Sequence, residues 1–346
     1  MVPGTSPCSF GRAFSLVLKP TGAVRQGFVV AAMGQSLTGS WHKVEGVVAA
    51  GSYIFTSLAM TSLTKYAASV WRYPGSSSLL LVECIATVLF LRQRADSSRP
   101  YRAFDASVVR HLPAVTLAKA LNMYLSFVAM KRTSLPVYNV LKRLQPAYAV
   151  LQDSIVRGTG ASASEYLGIA VMCLGTVATG VGDLDFDVVG YGIALTAAAC
   201  QSLYLVLARH AQDKVPGMTH VDLLYYTALY NCVIFVPLTF SEITDVLDFL
   251  AGTGQIVELI RFLVPFVCLG ALLNYSTFWC TAATSPLTTA VAGNAKGILS
   301  TLLGFLHFGS RLTPIGWFGL LCNTTGGVVY SAAQYRKKLP KSKDKA

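Results

Sequence analysis

Residues 134–143 read Ser-Leu-Pro-Val-Tyr-Asn-Val-Leu-Lys-Arg and place two adjacent cations, Lys142 and Arg143, inside an apolar stretch. Lys296 lies in the same way within a second apolar stretch, which begins at Ser285-Pro286. A charge at bilayer depth costs roughly 2.5 to 3.5 kcal/mol even on the insertion scale. Such residues usually face a water-filled cavity, where they meet an anion or a partner. The first hypothesis is therefore a site for a polyanion.

The composition predicts a polytopic membrane protein. Of the 346 residues, 53% are hydrophobic and only 13% are charged, and the mean hydropathy is +0.53. Soluble domains keep about a quarter of their residues charged. Because a spanning helix needs about 20 mostly apolar residues, we predict an all-α membrane protein with ten transmembrane helices, at residues 44–68, 74–91, 108–130, 135–156, 164–182, 188–208, 222–240, 261–283, 286–308 and 313–335.

Positive charges fall mainly on one side of these spans. With ten spans, both termini share a side with every second loop, and that side holds 17 Lys and Arg residues against 5 on the other. This bias marks the cytosolic side, so we expect a loosely ordered cytosolic tail at 1–43 and a basic cytosolic tail at 336–346. The net charge of +12 then comes mostly from the cytosolic loops and tails, and it is no evidence for nucleic-acid binding.

The sequence carries no pattern of an enzyme site. Its 8 cysteines have no Cys-x-x-Cys spacing, and its 5 histidines fall in separate segments. Neither metal-ligand spacing nor a nucleophile-base pair results. We therefore expect no enzyme, no catalytic residue, no metal and no cofactor.

A short internal sequence repeat divides the ten spans into two halves. The residues Thr-Ser-Leu-Pro at 133–136 precede Lys142, much as Thr-Ser-Pro at 284–286 precedes Lys296. Each half holds five spans, an odd number, so the halves have opposite orientations in the membrane. Inverted repeats are typical of secondary transporters, which bind substrate near the midplane where the halves meet. We predict two inverted five-helix repeats in a transporter domain at 44–335.

Polar residues at helical spacing surround the cations. The ninth span carries a stripe at intervals of three and four residues, formed by Thr289, Gly293, Lys296 and Ser300. The fourth carries Tyr138 with Lys142, and Asn139 with Arg143. We expect both stripes to line one cavity. Two alternatives stay open: a packing seam of small residues at 293–297, and a lysine that merely pairs with Glu83 or Asp153.

Two further expectations concern the remaining lysines and the prolines. Lys65 and Lys119 are placed near helix ends, from which their ammonium groups would reach the interface. Pro136, Pro146 and Pro286 are expected to bend the helices where gates would need it.

Several stretches together resemble the nucleotide-sugar transporters of the drug/metabolite transporter superfamily, in particular solute carrier family 35, subfamily D. They are residues 134–143, Gly182-Asp183-Leu184 with Gly190-Tyr191, residues 225–231, residues 274–277 and residues 287–304. The resemblance covers residues 50–335. It implies the drug/metabolite transporter fold and an antiporter of the Golgi membrane, or alternatively of the endoplasmic reticulum. Such an antiporter imports a nucleotide sugar and returns the nucleoside monophosphate.

The resemblance also implies roles for single residues. GDP-mannose carriers read the base with Phe-Tyr-Asn-Asn and meet sugar and phosphate with Gly-Ala-Leu-Asn-Lys; the matching stretches are Leu-Tyr-Asn-Cys at 229–232 and Gly-Asn-Ala-Lys at 293–296. Cys232 and Ala295 replace asparagines of the guanine-reading carriers, and the likeness to subfamily D favours UDP-linked sugars. The implied substrate-binding residues are Lys142, Arg143 and Lys296 for the pyrophosphate, Tyr230 and Asn231 for the base, and Tyr138, Asn139, Asn274, Ser300 and the neighbouring Gly293 for the sugar.

The expected partners are a nucleotide sugar, a nucleoside monophosphate and the lipid bilayer; a homodimer is left open. Other functions stay open as well. The chain could carry GDP-mannose or GDP-fucose, translocate smaller phosphate esters, or serve as a non-transporting membrane scaffold in trafficking. Fold alone does not decide between them.

Overall fold

The computed structural model describes residues 31–94, 106–158, 160–215, 217–251, 255–283 and 286–338. Contacts between Cα atoms divide the chain into Met1–Val44 and Glu45–Ala346, and the functional groups considered below all lie in the second unit. Within the described residues the secondary structure is helical, apart from an isolated bridge between Asp183 and Leu312.

The described residues form twelve α-helices, numbered here in chain order. Their bounds are α1 Ala31–Lys65, α2 Ser76–Arg94, α3 Ala106–Arg132, α4 Leu135–Lys142, α5 Gln145–Arg157, α6 Ala163–Val181, α7 Val188–Lys214, α8 His220–Ser241, α9 Ile243–Leu250, α10 Gln255–Ala283, α11 Pro286–His307 and α12 Pro314–Lys338. A π-helical segment, Tyr66–Val70, continues α1.

Seven of the described helices are long and apolar enough to cross a membrane. The spans are Glu45–Val70, Ser76–Gln93, Arg110–Arg132, Ala163–Val181, Val188–Lys214, Val221–Ser241 and Ile256–Leu273. Large apolar side chains lie on their outer surfaces, such as Phe55 at 68% and Leu174 at 70% exposed, which suits contact with lipid. The chain is thus a multi-pass membrane protein. The predicted spans at 135–156, 286–308 and 313–335 are helical but are not among the seven.

The predicted fourth span, 135–156, is wrong as a single helix. α4 ends at Lys142, and α5 begins after a two-residue turn. Pro146 explains the break, because its nitrogen has no hydrogen to donate to the carbonyl of Lys142 and its ring would clash with that carbonyl. The bend expected at Pro146 is confirmed. Pro136 and Pro286 instead lie in the first turns of α4 and α11, where proline favours a helix start.

Helix bounds differ from the prediction at other places as well, among them α1, α9 and α12. α1 begins at Ala31, so residues 31–43 are helical, as their Ala, Met, Gln and Leu residues favour; residues 1–30 lie outside the described part. α12 continues to Lys338, into the predicted tail. The unpredicted α9 has apolar residues at positions i, i+3, i+4 and i+7 of Ile243–Leu250, which suits a helix with one buried face.

Helices α6 and α12 approach each other closely through glycines. A Cβ built at Gly175 would lie 2.3 Å from the backbone nitrogen of Asn323, and one at Gly319 would lie 2.3 Å from that of Thr179. The two helices run antiparallel, since the partner numbers on α12 fall as those on α6 rise. Small residues that let backbones meet are a common way of joining helices in membranes.

Candidate functional site

Helices α4 and α11 bring the two polar stripes together. Asn139 Nδ2 donates a hydrogen bond to Ser300 Oγ at 2.9 Å, and a Cβ at Gly304 would lie 2.5 Å from Pro136 Cδ. The lower number of α4 faces the higher number of α11, so the helices run antiparallel. The two stripes therefore contact each other at Asn139 and Ser300, and a cavity lined by both stays a prediction.

Lys142 is the last residue of α4 and lies beside the break in that helix. Its Nζ donates to Tyr138 Oη at 3.1 Å and lies 5.3 Å from the centre of the same ring. Tyr138 is buried, so the geometry favours a role in orienting Lys142 over a sugar contact. Broken helices recur at transporter sites, where helix ends face the substrate.

Arg143 follows in the turn between α4 and α5. Its Nη1 donates to Thr324 Oγ1 on α12, whereas its Nη2 has no hydrogen-bond partner among the described residues. A Cβ at Gly297 would lie only 3.0 Å from Nη2 and 3.3 Å from Nε. The missing side chain at Gly297 thus makes room for the guanidinium, which keeps donors for an anion.

Lys296 on α11 joins these two cations. Its Nζ lies 5.9 Å from the centre of the Tyr53 ring on α1, and its charge interacts with that of Lys142. Within the described part of the chain, no carboxylate pairs with Lys142, Arg143 or Lys296. We call these three residues the cation cluster. The pairing with Glu83 that the sequence left open is not observed, and the Asp153 side chain lies outside the described residues.

Some turns of α11 face open space, and others pack against neighbouring residues. A Cβ at Gly293 would meet nothing within 4 Å, so space opens there, one turn before Lys296. The packing seam predicted at 293–297 is therefore not formed at Gly293. Close contacts lie further along, where Gly297 borders the Arg143 guanidinium and Gly304 packs against Pro136.

The two predicted base-binding residues lie on α8. Tyr230 packs against a cluster formed by α3, α7 and α8. Asn231 is fully buried, with its Nδ2 3.7 Å from Met123 Sδ on α3 and its Oδ1 without a hydrogen-bond partner among the described residues. The predicted sugar contact Asn274 lies on α10, but its side chain is outside the described residues.

A cavity of about 210 Å³ between α2, α3, α7 and α8 was missed by the sequence analysis. Glu83 and Lys119 line it and interact electrostatically. Lys119 lies in the middle of α3, so the expectation that it reaches the interface from a helix end is wrong: its Nζ donates to Thr227 Oγ1 at 3.2 Å and lies 5.9 Å from the centre of the Tyr204 ring. The sequence contained a signal for this cavity, because Glu83 and Lys119 each lie inside a predicted span. We call this space the polar cavity.

Lys65 has a structural partner that sequence reasoning also missed. It ends α1 as expected, but its buried Nζ donates to the carbonyl oxygens of Met130 and Thr133, both at 2.7 Å. Carbonyls at a helix C-terminus lack intrahelical donors, and a lysine satisfies them here. Lys65 therefore joins the ends of α1 and α3 and does not reach the interface.

A cavity larger than the polar cavity does not contain the candidate site. About 670 Å³ lies between α4, α6 and α7. Its lining is mainly apolar and includes Val177 and Val181, which are exposed. The charge of a polyanion would be unpaired there, so the cation cluster remains the candidate site.

Comparison with known proteins identifies the family of this chain. The family model described as the Triose-phosphate Transporter family matches residues 46–331. The UDP-galactose/UDP-glucose transporter 7 of Arabidopsis thaliana is 31% identical over 301 residues, which cover 85% of this chain and 92% of the relative. Nucleotide sugar transporter SLC35D2 of Mus musculus is 26% identical over 247 residues, 68% and 74% of the two chains.

A third relative is named for a sugar linked to a different nucleotide. The GDP-mannose transporter of Kluyveromyces lactis is 21% identical over 316 residues, which cover 85% of this chain and 92% of the relative. The resemblance to nucleotide-sugar transporters, subfamily D among them, is confirmed. Since the family model covers most of the helices, the chain belongs to the Triose-phosphate Transporter family of the drug/metabolite transporter superfamily.

Proposed function

We propose that this protein exchanges a nucleotide sugar, with uridine as its nucleoside, for the nucleoside monophosphate across the Golgi membrane. The observation that carries the proposal is the cation cluster. Lys142, Arg143 and Lys296 converge from two helices without a carboxylate partner in the described part of the chain. A pyrophosphate compensates such charge, with arginine as a planar donor and lysine as a point charge. The 31% identical relative is named for UDP-linked hexoses.

Exchange follows from the same charges. Lys142 and Lys296 repel each other when no anion lies between them. Closing an empty cavity around such unpaired charge is costly, because the cations would lose water without gaining a partner. A bound nucleotide removes that penalty in both directions of the cycle. The loaded carrier therefore changes conformation more readily than the empty one.

The proposed architecture is ten spans in two inverted repeats of five. The antiparallel pairs α4 with α11 and α6 with α12 support it. Each pair joins a helix of the first half to the helix at the corresponding position of the second half. Helices related by inverted repeats run in opposite directions, as these do.

The connections between helices also support an alternating path through the membrane. The loops after the first, third, fifth, seventh and ninth proposed spans contact one another. The hydrogen bonds that join them are Lys65 Nζ to Thr133 O at 2.7 Å, Lys131 Nζ to Pro74 O at 3.3 Å, Ser77 N to Glu242 Oε2 at 2.9 Å, Arg132 Nε to Asp187 Oδ2 at 2.6 Å, and Thr313 N to Gly182 O at 3.0 Å. These five loops therefore share one end of the molecule, which we assign to the lumen.

This end is closed in the structure by polar and aromatic contacts. The Arg132 side chain holds the pKa of the Asp187 carboxyl below its usual value by its hydrogen bond. Trp71 and Tyr73 stack with ring centres 5.2 Å apart, and Phe249 meets both rings edge on. Release of substrate into the lumen requires these contacts to separate. We infer that α1, α3 and α8 move apart at this end during the cycle.

A phosphate-ester translocator is the second candidate. The family description favours it, since triose phosphates are named there. Such a carrier needs the cation cluster but no pocket for a base. The experiment that separates the two is uptake of radiolabelled UDP-sugars, GDP-mannose and triose phosphate by proteoliposomes preloaded with UMP, GMP or phosphate. We expect UDP-sugar uptake driven by UMP. Uptake of triose phosphate without any nucleotide exchange would overturn the proposal.

A further inference from the structure

The polar cavity has a chemical character that the cation cluster lacks. Glu83 and Lys119 line it with one charge of each sign. Neutral polar side chains complete the lining, among them Asn122, Gln201 and Tyr204. The cavity is thus balanced in charge, whereas the cation cluster is purely positive. A balanced, hydrogen-bonding cavity suits an uncharged polar group, and a positive one suits a phosphate.

One buried polar atom without a partner belongs to a residue that lines this cavity, and two more lie one helical turn from lining residues. Gln201 Oε1 lines it, Thr116 Oγ1 lies one turn before Lys119 on α3, and Asn231 Oδ1 lies one turn after Ala228 on α8. Each lacks a hydrogen-bond partner among the described residues. The Glu83 carboxylate likewise forms no hydrogen bond or ion pair within the part of the chain that the structure describes. Buried polar groups are rarely left unpaired, so a polar ligand or water completes them.

Helix α1 places the polar cavity near the cation cluster. A Cβ at Gly270 would lie 3.7 Å from Glu83 Cγ and 3.8 Å from Met60 Cε, so Met60 lies near the Glu83 side chain. Tyr53, beside Lys296, lies seven residues earlier on the same helix. Seven residues are two turns, or about 10.5 Å of helix, and return to the same face. Residues of α1 beside Lys296 and near Glu83 are thus two turns apart, a spacing of the order that separates a base from a pyrophosphate across a ribose.

Resting on the proposed function, we propose that the polar cavity is the subsite for the nucleobase, and that Glu83 and Lys119 select uracil. Uracil presents an N3–H donor between two carbonyl oxygens. The Glu83 carboxylate can accept from N3–H, and the Lys119 ammonium can donate to the carbonyl oxygen at position 4, where cytosine carries an amino group. Cytosine has almost the same size but carries an unprotonated nitrogen at position 3, which would oppose the carboxylate. Base recognition then involves α2 and α3 in addition to the predicted residues of α8.

Binding of UMP and CMP to purified protein tests this proposal. The dissociation constants are obtained from thermal stabilisation of the wild type, Glu83→Gln, Lys119→Met and Lys296→Ala. In the wild type we expect UMP to bind more tightly than CMP. Glu83→Gln and Lys119→Met should lower the UMP-to-CMP affinity ratio roughly tenfold or more, because a mismatched polar contact is then no longer penalised. Lys296→Ala should weaken both nucleotides equally and leave the ratio unchanged.

The outcomes separate the subsite from the proposed function. If the wild type binds neither nucleotide, the proposed function fails, and the subsite with it. If the wild type binds UMP but the ratio is unchanged in both cavity variants, the cavity is not the base subsite, although the proposed function stands. A wild-type preference for CMP would also overturn the proposal. Glu83→Asp, which keeps the charge but withdraws the carboxylate from the base, gives the same readout if a charge change prevents folding.

Discussion

Asn139 Nδ2 donates a hydrogen bond to Ser300 Oγ at 2.9 Å and thereby ties the short helix α4 to α11. The two residues are 161 positions apart in the chain, and each belongs to the helix that carries a cation of the cluster. Ser300 is buried, so removal of either partner leaves a polar group without its bond. This contact fixes the position of Lys142 and Arg143 relative to Lys296.

The Asn139–Ser300 bond should be measurable as a coupling. We expect Asn139→Ala and Ser300→Ala each to lower the free energy of unfolding by about 1–3 kcal/mol, because a buried partner is left unsatisfied. The double variant should lose less than the sum of the two. Denaturant unfolding in detergent gives the three values. Strict additivity would mean that the two side chains do not interact.

Lys296→Ala should abolish nucleotide-sugar exchange while the protein still inserts and reaches its membrane. The side chain supplies charge to the cation cluster and pairs with no carboxylate among the described residues, so its loss removes anion binding without leaving a buried charge unpaired. Proteoliposome uptake, with expression measured in parallel, checks this expectation. Arg261→Ala is the matched control, since Arg261 forms only an exposed pair with Glu258, and such pairs contribute about 0–1 kcal/mol. Normal uptake by Lys296→Ala would leave a packing role only.

Gly175→Ala should destabilise the protein severely. The added methyl group would meet the backbone nitrogen of Asn323 at 2.3 Å, and a backbone cannot yield as a flexible side chain can. Overpacking costs about 1–3 kcal/mol and occasionally more. Gly192→Ala on α7 is the control, because its Cβ would meet nothing within 4 Å; alanine there should be neutral or stabilise by up to about 1 kcal/mol. Melting temperatures of both variants in detergent test the contrast.

Tags on both termini should be cleaved by protease added to sealed microsomes. The 17 to 5 asymmetry of Lys and Arg and an even number of spans both place the tails in the cytosol. Detergent-opened microsomes and a lumenal marker protein provide the control. Protection of the C-terminal tag alone would imply an odd number of spans, and the two inverted repeats would then be wrong.

Cys232→Asn should shift the preference from UMP toward GMP. Cys232 packs beside the cluster of Leu80, Cys84, Ala120 and Phe235, next to Asn231. An amide there restores the donor and acceptor that the related guanine-reading motif carries, and each unpaired group of the wrong base costs about 1–3 kcal/mol. Counterflow driven by UMP or GMP measures the ratio. Cys232→Ser, which adds a hydroxyl but no amide, should keep the preference for UMP.

Much of the helical layout was predictable from the sequence, because apolar length and helix-starting residues are local properties. Nine of the ten predicted spans each coincide largely with one described helix, whereas the fourth is divided between α4 and α5 by the break that Pro146 explains. The three cations could also be singled out from the sequence, since charges inside apolar stretches are rare and costly. The short helix α9 and the role of Lys65 as a cap were missed. Both depend on neighbours that lie far away in the chain.

By itself, the sequence determined that this protein is a multi-pass helical membrane protein with cations inside its apolar segments. Apolar composition and charge determine how each segment interacts with the bilayer, whichever other segments it contacts. Only the tertiary structure decided which polar groups share a space: Asn139 with Ser300, Arg143 with the room at Gly297, and Glu83 with Lys119 in a separate cavity. Such contacts depend on the register between distant helices. That register is set by close contacts between backbones, and the periodicity of any one segment does not encode it.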